Sequence, residues 1–229
     1  MATLIFDFDG TLHNTVLIYG PAVRMCQKKM AAMGLLTERD ISDSEIYTYI
    51  GLTAAQMWKI FAPHLSDEER TMGSEMIKED LSRLALNGSA RLYDGAEKML
   101  ERLKAKGHTL IFLSACHNSY MKAHTEYFHL DRYFHEMYCS EEFGWISKEK
   151  IVEQLLDKWK SGNGTGGLQI IAIGDRYSDM EIKNASDNIK TIWCAYGFGS
   201  ISEGETADET AESLMEIPAK VQKCLTCNT

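Results

Sequence analysis

Thr3-Leu-Ile-Phe-Asp-Phe-Asp-Gly-Thr-Leu12 begins with a short apolar run, Thr3 to Phe6, and halts at two aspartates and a glycine. A run of this length, bounded by a polar turn, reads as a strand buried on both faces, as in a parallel sheet. Working outward, similar runs recur at Thr109-Leu-Ile-Phe-Leu113, Leu168-Gln-Ile-Ile-Ala-Ile173 and Lys190-Thr-Ile-Trp-Cys194, with a weaker one at Glu136-Met-Tyr-Cys139. Helical spacing separates them. Ala96, Met99, Leu100 and Leu103 repeat at a helical period and end at Gly107, a natural residue just past a helix; Ile151, Val152, Leu155, Leu156 and Trp159 repeat likewise after Ser147. The alternation predicts an α/β fold with a doubly wound parallel sheet, whose ligands bind beyond the carboxyl ends of the strands.

Residues 14–90 break the alternation. Their periodicity is helical throughout: Val16, Val23, Met30 and Met33, then Met57, Ile60 and Phe61, then Met72, Met76, Leu81 and Leu84. Ser66 with Glu69 three residues on forms a capping box for the last helix. We therefore expect an all-helical domain (14–90) inserted into an α/β core (1–13 plus 91–229). Six of the 12 methionines, at 25, 30, 33, 57, 72 and 76, fall in the insertion, and Met fills irregular gaps that tolerate movement. Ser161-Gly-Asn-Gly-Thr-Gly-Gly167 follows a helix and precedes a strand, the reverse of a phosphate-cradling loop, and reads as a surface connection.

With 229 residues, 45% of them hydrophobic and 25% charged, the chain has the make-up of a globular protein with a substantial core. Its formal net charge of −9, without a clustered basic stripe, argues against nucleic acid or an anionic membrane as partner. No apolar run reaches a membrane span, and the N-terminus lacks the basic start of a signal peptide. The six scattered cysteines fit reduced thiols in the cytoplasm, and the Cys224-Leu-Thr-Cys227 pair reads as an exposed tail.

The chemistry sits at the strand ends. Asp7 and Asp9 follow the first run, Ser114 the second, Lys148 opens the helix after the weak run, and Gly174-Asp175 with Asp179 follows the fourth. Strand ends converge on one crevice in this fold, so several carboxylates meet there and would partly protonate unless a cation neutralises them. Mg²⁺, held by carboxylates, waters and a substrate phosphate, fits that need best. Asp7 and Asp9, two apart in an extended segment, share a face, so one can attack phosphorus to form an aspartyl-phosphate while the other handles the proton. Gly10 allows a tight turn that brings N–H groups to the phosphoryl; Ser114 can hydrogen-bond a phosphate oxygen; Lys148 can balance developing charge, with Lys150 competing for the role.

Asp7-Phe-Asp-Gly-Thr-Leu12 and Gly174-Asp-Arg-Tyr-Ser-Asp179 resemble the first and last motifs of the haloacid dehalogenase-like (HAD) hydrolases, and the helical insertion resembles their C1-type cap. Ile50-Gly-Leu52, Tyr93-Asp-Gly95 and Ala195-Tyr-Gly-Phe-Gly199 make the chain most similar to the phosphoglycolate phosphatase-like members. The resemblance implies a Rossmannoid core and Mg²⁺-dependent hydrolysis of a small phosphorylated metabolite. By motif match, Asp7 is the nucleophile and Asp9 the general acid/base. Ser114 and Lys148 bind the phosphoryl group beside Gly10, Thr11 and Ala115, while Asp7, Asp9 (through its carbonyl), Asp175 and Asp179 serve the metal. Two motifs depart from the usual pattern: Leu113-Ser-Ala-Cys-His117, and Ser147-Lys-Glu-Lys150 where Lys-Pro is commoner. The alternatives are a sugar-phosphate mutase of the β-phosphoglucomutase type and a non-catalytic binding protein on the same scaffold. Lys28 and Lys29, candidates for a phosphonatase lysine, fall on an expected solvated face. His13 and His117 are candidates to line the crevice, and Trp58, Tyr47 and Tyr49 to roof it, although core packing suits these three aromatics better.

Overall fold

The computed structural model describes residues 1–161 and 169–226. Most of the Ser161–Gly167 stretch, Leu168, and Cys227 of the terminal cysteine pair lie outside the described residues. Six strands form the sheet: β1 (Thr3–Phe6), β2 (Thr109–Ser114), β3 (Glu136–Cys139), β4 (Ile170–Gly174), β5 (Ile189–Cys194) and β6 (Glu209–Ala211). All neighbours pair in parallel, in the order β3-β2-β1-β4-β5-β6. The expected α/β, doubly wound sheet is present, with one addition: β6 at the edge, three residues too short to leave a periodic trace in the sequence.

The helices are α1 (Val16–Ala32), α2 (Asp43–Tyr47), α3 (Ala54–Phe61), α4 (Asp67–Leu86), α5 (Ala96–Ala105), α6 (Asn118–Phe128), α7 (Lys148–Ser161), α8 (Tyr177–Met180) and α9 (Ile217–Thr226). Alternate residues along each central strand serve opposite faces. Leu4, Phe6, Leu110 and Phe112 join one apolar cluster, whereas Ile5, Ile111 and Leu113 join a second with Ile151, Val152 and Leu155 of α7. Both faces are thus covered, which is why the strands read as unbroken apolar runs. Each such side chain withdrawn from water contributes about 1.5–3 kcal/mol.

Between β1 and β2 the regular elements are all helices, α1 to α5, joined by turns and loops, with isolated bridges at 9, 13 and 92. It leaves and returns side by side: Asn14 N–H donates to the Arg91 carbonyl at 3.0 Å and Tyr93 N–H to the Leu12 carbonyl at 2.8 Å. α1 and α4 pack closely at Gly73, where a Cβ would collide with the Trp58 ring and come within 3.0 Å of Met30 Sδ. The Ser66–Glu69 capping box forms as read, Glu69 N–H donating to Ser66 Oγ (3.2 Å) and Ser66 N–H to Glu69 Oε2 (2.7 Å). Gly107, at φ +82°, closes α5.

The strand order places the topological switch at β1 and β4: the chain builds β2 and β3 on one side of β1, then crosses to β4 on the other. Crossovers leave such a point in opposite directions, opening a crevice at the carboxyl ends. Asp7 directly follows β1 and Asp175 directly follows β4.

Candidate active site

Asp7, Asp175 and Asp179 come together although 168 positions separate the first two in the sequence. One oxygen from each lies within 4.8 Å of the others, and all three residues are buried. Lys148, the first residue of α7, sends its ammonium among them, 2.6 Å from Asp7 Oδ1 and 2.5 Å from Asp179 Oδ1. Its side chain is 4% exposed, whereas Lys150 lies on the surface, paired with Glu153. Of the two competing lysines, Lys148 is the one brought to the carboxylates.

Glycines make this crowding possible. Gly10 (φ +84°) and Gly197 each lie where a Cβ would strike the Asp175 carboxylate, and Gly199 where one would strike its carbonyl. The Ala195–Gly199 segment wraps the same aspartate: Phe198 N–H donates to Asp175 Oδ2 (2.7 Å), and Tyr196 OH donates to the Thr11 carbonyl (2.8 Å). Trp193 Nε1–H holds the Asp175 carbonyl at 2.8 Å. Thr11, fully buried, reaches Asp175 Oδ1 through its hydroxyl at 3.4 Å.

Electrostatics follow from burial. Burial pushes the Asp7 carboxyl well above the usual range, and the Asp179 and Asp175 carboxylates add to this against the opposing pull of Lys148. Asp175 is raised to about 7, by burial and then by Asp179. Burial works against the Lys148 ammonium, but Asp179 and Asp7 outweigh it and hold it charged. With all three carboxylates ionised, the group around one ammonium would carry an excess of two negative charges, which a divalent ion would balance and which otherwise favours protonation. Hard oxygen donors at this separation are the ligand chemistry of Mg²⁺ or a similar cation, so the residues fit such an ion.

Asp9 belongs to a second network. Its Oδ1 meets Thr15 Oγ1 (2.5 Å), Tyr120 OH (2.7 Å) and His13 Nδ1 (3.0 Å). Burial raises its pKa, but the hydrogen bonds from His13, Thr15 and Tyr120 outweigh that and leave it below the usual carboxylate value. The Asp9 side chain therefore stands outside the three-carboxylate cluster, and only its carbonyl remains for a metal. Thr15 lies close to the first motif in sequence, but Tyr120, in α6, is 111 positions away and carries no local signal.

Some expectations need correction. Gly10 N–H donates to the His13 carbonyl at 3.0 Å and Thr11 N–H to the Phe8 carbonyl at 3.2 Å, because the left-handed turn at Gly10 folds the loop onto itself. Neither amide is free for a phosphoryl oxygen. His13 lines no crevice: it is fully buried, stacked on Phe8 at 4.9 Å. His117 instead pairs with Glu141 at 2.8 Å. Ser114 ends β2 and is buried; Ala115 beside it is exposed. Trp58 and Tyr49 are buried in the helical segment, as core packing requires, while Tyr47 stays exposed and stacks on Phe198 at 5.7 Å. Lys28 and Lys29 pair with Glu38 and Asp80. Among the described residues no helix is long and apolar enough to cross a membrane.

A parallel doubly wound sheet with three buried carboxylates gathered at its switch point defines an α/β protein with a candidate metal site. The family model for haloacid dehalogenase-like hydrolases matches residues 4–194, and the chain belongs to that family. It is 29% identical over 203 residues to a 5'-nucleotidase of Pseudomonas aeruginosa, covering 87% of this chain and 85% of that protein. Among solved structures it is similar to a predicted phosphoglycolate phosphatase from Haemophilus somnus (TM-score 0.78, 19% identity, covering 97% of this chain and 98% of the other). A predicted phosphatase from Clostridium acetobutylicum is comparable (TM-score 0.76, 21% identity, covering 97% and 99%).

Proposed function

We propose that this chain is a Mg²⁺-dependent phosphatase that hydrolyses small phosphate monoesters through an aspartyl-phosphate. The observation that carries the reading is the convergence of the buried Asp7, Asp175 and Asp179 carboxylates around the Lys148 ammonium at the switch point. Asp7, Asp175 and the Asp9 carbonyl would hold the ion, with Asp179 in support; when bound, it keeps the carboxylates ionised and attracts the phosphoryl oxygens. The phosphatases and the 5'-nucleotidase among similar proteins support a phosphate ester as the substrate.

In this reading Asp7 attacks phosphorus as the bond to the leaving oxygen breaks, and Asp9 gives that oxygen a proton, which it must first take up beside the anionic substrate because His13, Thr15 and Tyr120 favour its ionised form in the free protein. Asp9 then takes a proton from the water that attacks the phosphorylated Asp7, and phosphate leaves. Lys148 steadies Asp7 and balances charge on the transferring group, while the Ser114 hydroxyl binds one of its oxygens. Residues 14–90 act as a cap over the core of 1–13 and 91–229. The cap touches the core beside Asp175 at two points: the Ile50 carbonyl accepts from Arg176, and Tyr47 stacks on Phe198. Closure there would exclude water. The buried thiols of Cys26, Cys116, Cys139 and Cys194 suit a reducing cytoplasm as the place of work.

The test is phosphate release from a panel of metabolites, including nucleoside 5'-monophosphates and phosphoglycolate. EDTA should abolish release and Mg²⁺ restore it, and Asp7→Asn should lose several orders of magnitude with the fold intact. Turnover surviving in purified Asp7→Asn protein would refute the mechanism. Movement of labelled phosphate to a second position on a sugar, without release, would identify a mutase instead.

A further inference from the structure

The Asp9 carboxylate is held unevenly. Thr15 Oγ1, Tyr120 OH and His13 Nδ1 converge on Oδ1, and no hydrogen bond within the described residues reaches Oδ2. A carboxylate turns readily about its last torsion, with a broad two-fold preference. Three partners on one oxygen remove that freedom, and they crowd the lone pairs on which a transferable proton would sit. Oδ2 is left as the oxygen able to carry one.

The partners are themselves fixed. The His13 ring lies between Phe8, stacked at 4.9 Å, and His124, edge-on at 4.7 Å. Its Nε2 is buried without a hydrogen-bond partner. A buried lone pair against aromatic rings costs less than a buried N–H with no acceptor, so the tautomer that suits this site carries its proton on Nδ1, aimed at Asp9. His124 repeats the arrangement: its Nδ1 lies 2.9 Å from the Tyr120 carbonyl, which can only accept, and its Nε2 is likewise buried and unpartnered. Tyr120, whose hydroxyl meets Asp9, is thereby braced through its own backbone.

We propose that His13 and Tyr120 are positioning residues that lock Asp9 with Oδ2 turned toward the leaving oxygen, which suits the enzyme to esters of poorly leaving alkoxides. The inference rests on the reading of Asp9 as proton donor. In the first half-reaction, the bond from Asp7 to phosphorus forms, the bond to the alkoxide breaks, and the Oδ2 proton passes to the alkoxide as the alcohol departs. In the second, water adds to phosphorus, the bond to Asp7 breaks, and Oδ2 takes up a proton from the water. An aryl oxide such as p-nitrophenolate leaves without a proton, whereas a primary alkoxide needs one. Misplacing Asp9 therefore harms the two ester types unequally, while loss of fold or of metal binding harms both together.

The experiment compares kcat on glycerol phosphate with kcat on p-nitrophenyl phosphate. Tyr120→Phe, which keeps the ring and removes the hydroxyl, should lower the ratio about tenfold, the scale of one lost hydrogen bond to a charged group. His13→Leu should lower it similarly, and His13→Asn, which places an N–H donor near the Nδ1 position, should recover part of the loss. Equal falls on both esters, or an unchanged ratio in Tyr120→Phe, would overturn the positioning role. Asp9→Asn separates the layers. If its ratio falls while that of Tyr120→Phe does not, only the positioning role is lost; if its ratio also stays level, the proton-donor reading fails too. Wild-type protein inert toward both esters would overturn both. Independently of turnover, nitrogen-15 NMR of the imidazoles should show His13 protonated on Nδ1, and the Nε2–H tautomer would refute the arrangement.

Discussion

Raising the pH of the metal-stripped protein should destabilise it, and Mg²⁺ should reverse the effect. Burial, and then the neighbouring Asp179, push the Asp175 carboxyl up to about 7 in the folded protein from an ordinary 3.8. An acid whose folded pKa is raised binds more protons folded than unfolded across that window, so stability falls as pH rises from about 4 to 7 and stays low above it. The two values lie about three pH units apart, worth about 4 kcal/mol at ~1.36 kcal/mol per unit. Asp7 is raised for the same reason and acts in the same direction. For a chain of this size, 4 kcal/mol corresponds to roughly 10 °C in Tm. The assay is thermal melting of EDTA-treated protein from pH 5 to 8.5, with and without Mg²⁺. We expect Tm to drop across pH 5–7.5 in the stripped protein and to stay nearly level when a divalent ion occupies the carboxylates. At a hundredfold excess over Kd the ion should return about 2.7 kcal/mol. Asp175→Asn, which removes the charge, should lessen the slope of the stripped profile, the remainder coming from Asp7. A level profile in the stripped wild type, or an undiminished slope in Asp175→Asn, would refute the reasoning.

Further outcomes can be checked with single variants. Lys148→Ala leaves the carboxylate cluster without its ammonium; urea unfolding should show a loss of about 3–5 kcal/mol, and phosphate release should collapse. Lys150→Ala, which removes only an exposed pair with Glu153, should stay within about 0.5 kcal/mol of wild type and keep its turnover. Gly73→Ala forces a methyl group into the Trp58 ring and toward Met30; chemical denaturation should reveal a cost of about 1–3 kcal/mol, with the Trp58 environment altered in fluorescence. Arg176→Lys removes the planar fork that meets both Glu203 and the Ile50 carbonyl. Hydrogen exchange around residues 47–52 should then quicken, while exchange in β1 and β4 stays slow.

The reading of the strands succeeded where local chemistry was sufficient. Apolar runs of four to six residues, the first running into Asp7 and the second into Ser114, announced the parallel sheet, and the Ser66–Glu69 spacing announced the cap of α4. β6 escaped because three residues at an edge impose no period. Lys148 and Lys150 were inseparable as letters, yet two residues on a helix point about 200° apart, so α7 could bury one only by exposing the other. Tyr47, Tyr49 and Trp58 were equally aromatic in sequence; docking against Phe198 left the first at the surface while the other two entered the core.

What the sequence by itself determined is which chemical groups stand at the end of each strand, because strand-forming and turn-forming tendencies act over a few neighbouring residues. What only the tertiary structure decided is which atom faces which: Asp7 with Lys148, Asp175 within its ring of glycines, and Asp9 turned away toward His13 and Tyr120. Hydrogen bonds and ion pairs act over about 3 Å, whereas these partners, His13 excepted, lie tens to more than a hundred residues apart. Their pairing is set by how the strands and helices pack, not by any pattern along the chain.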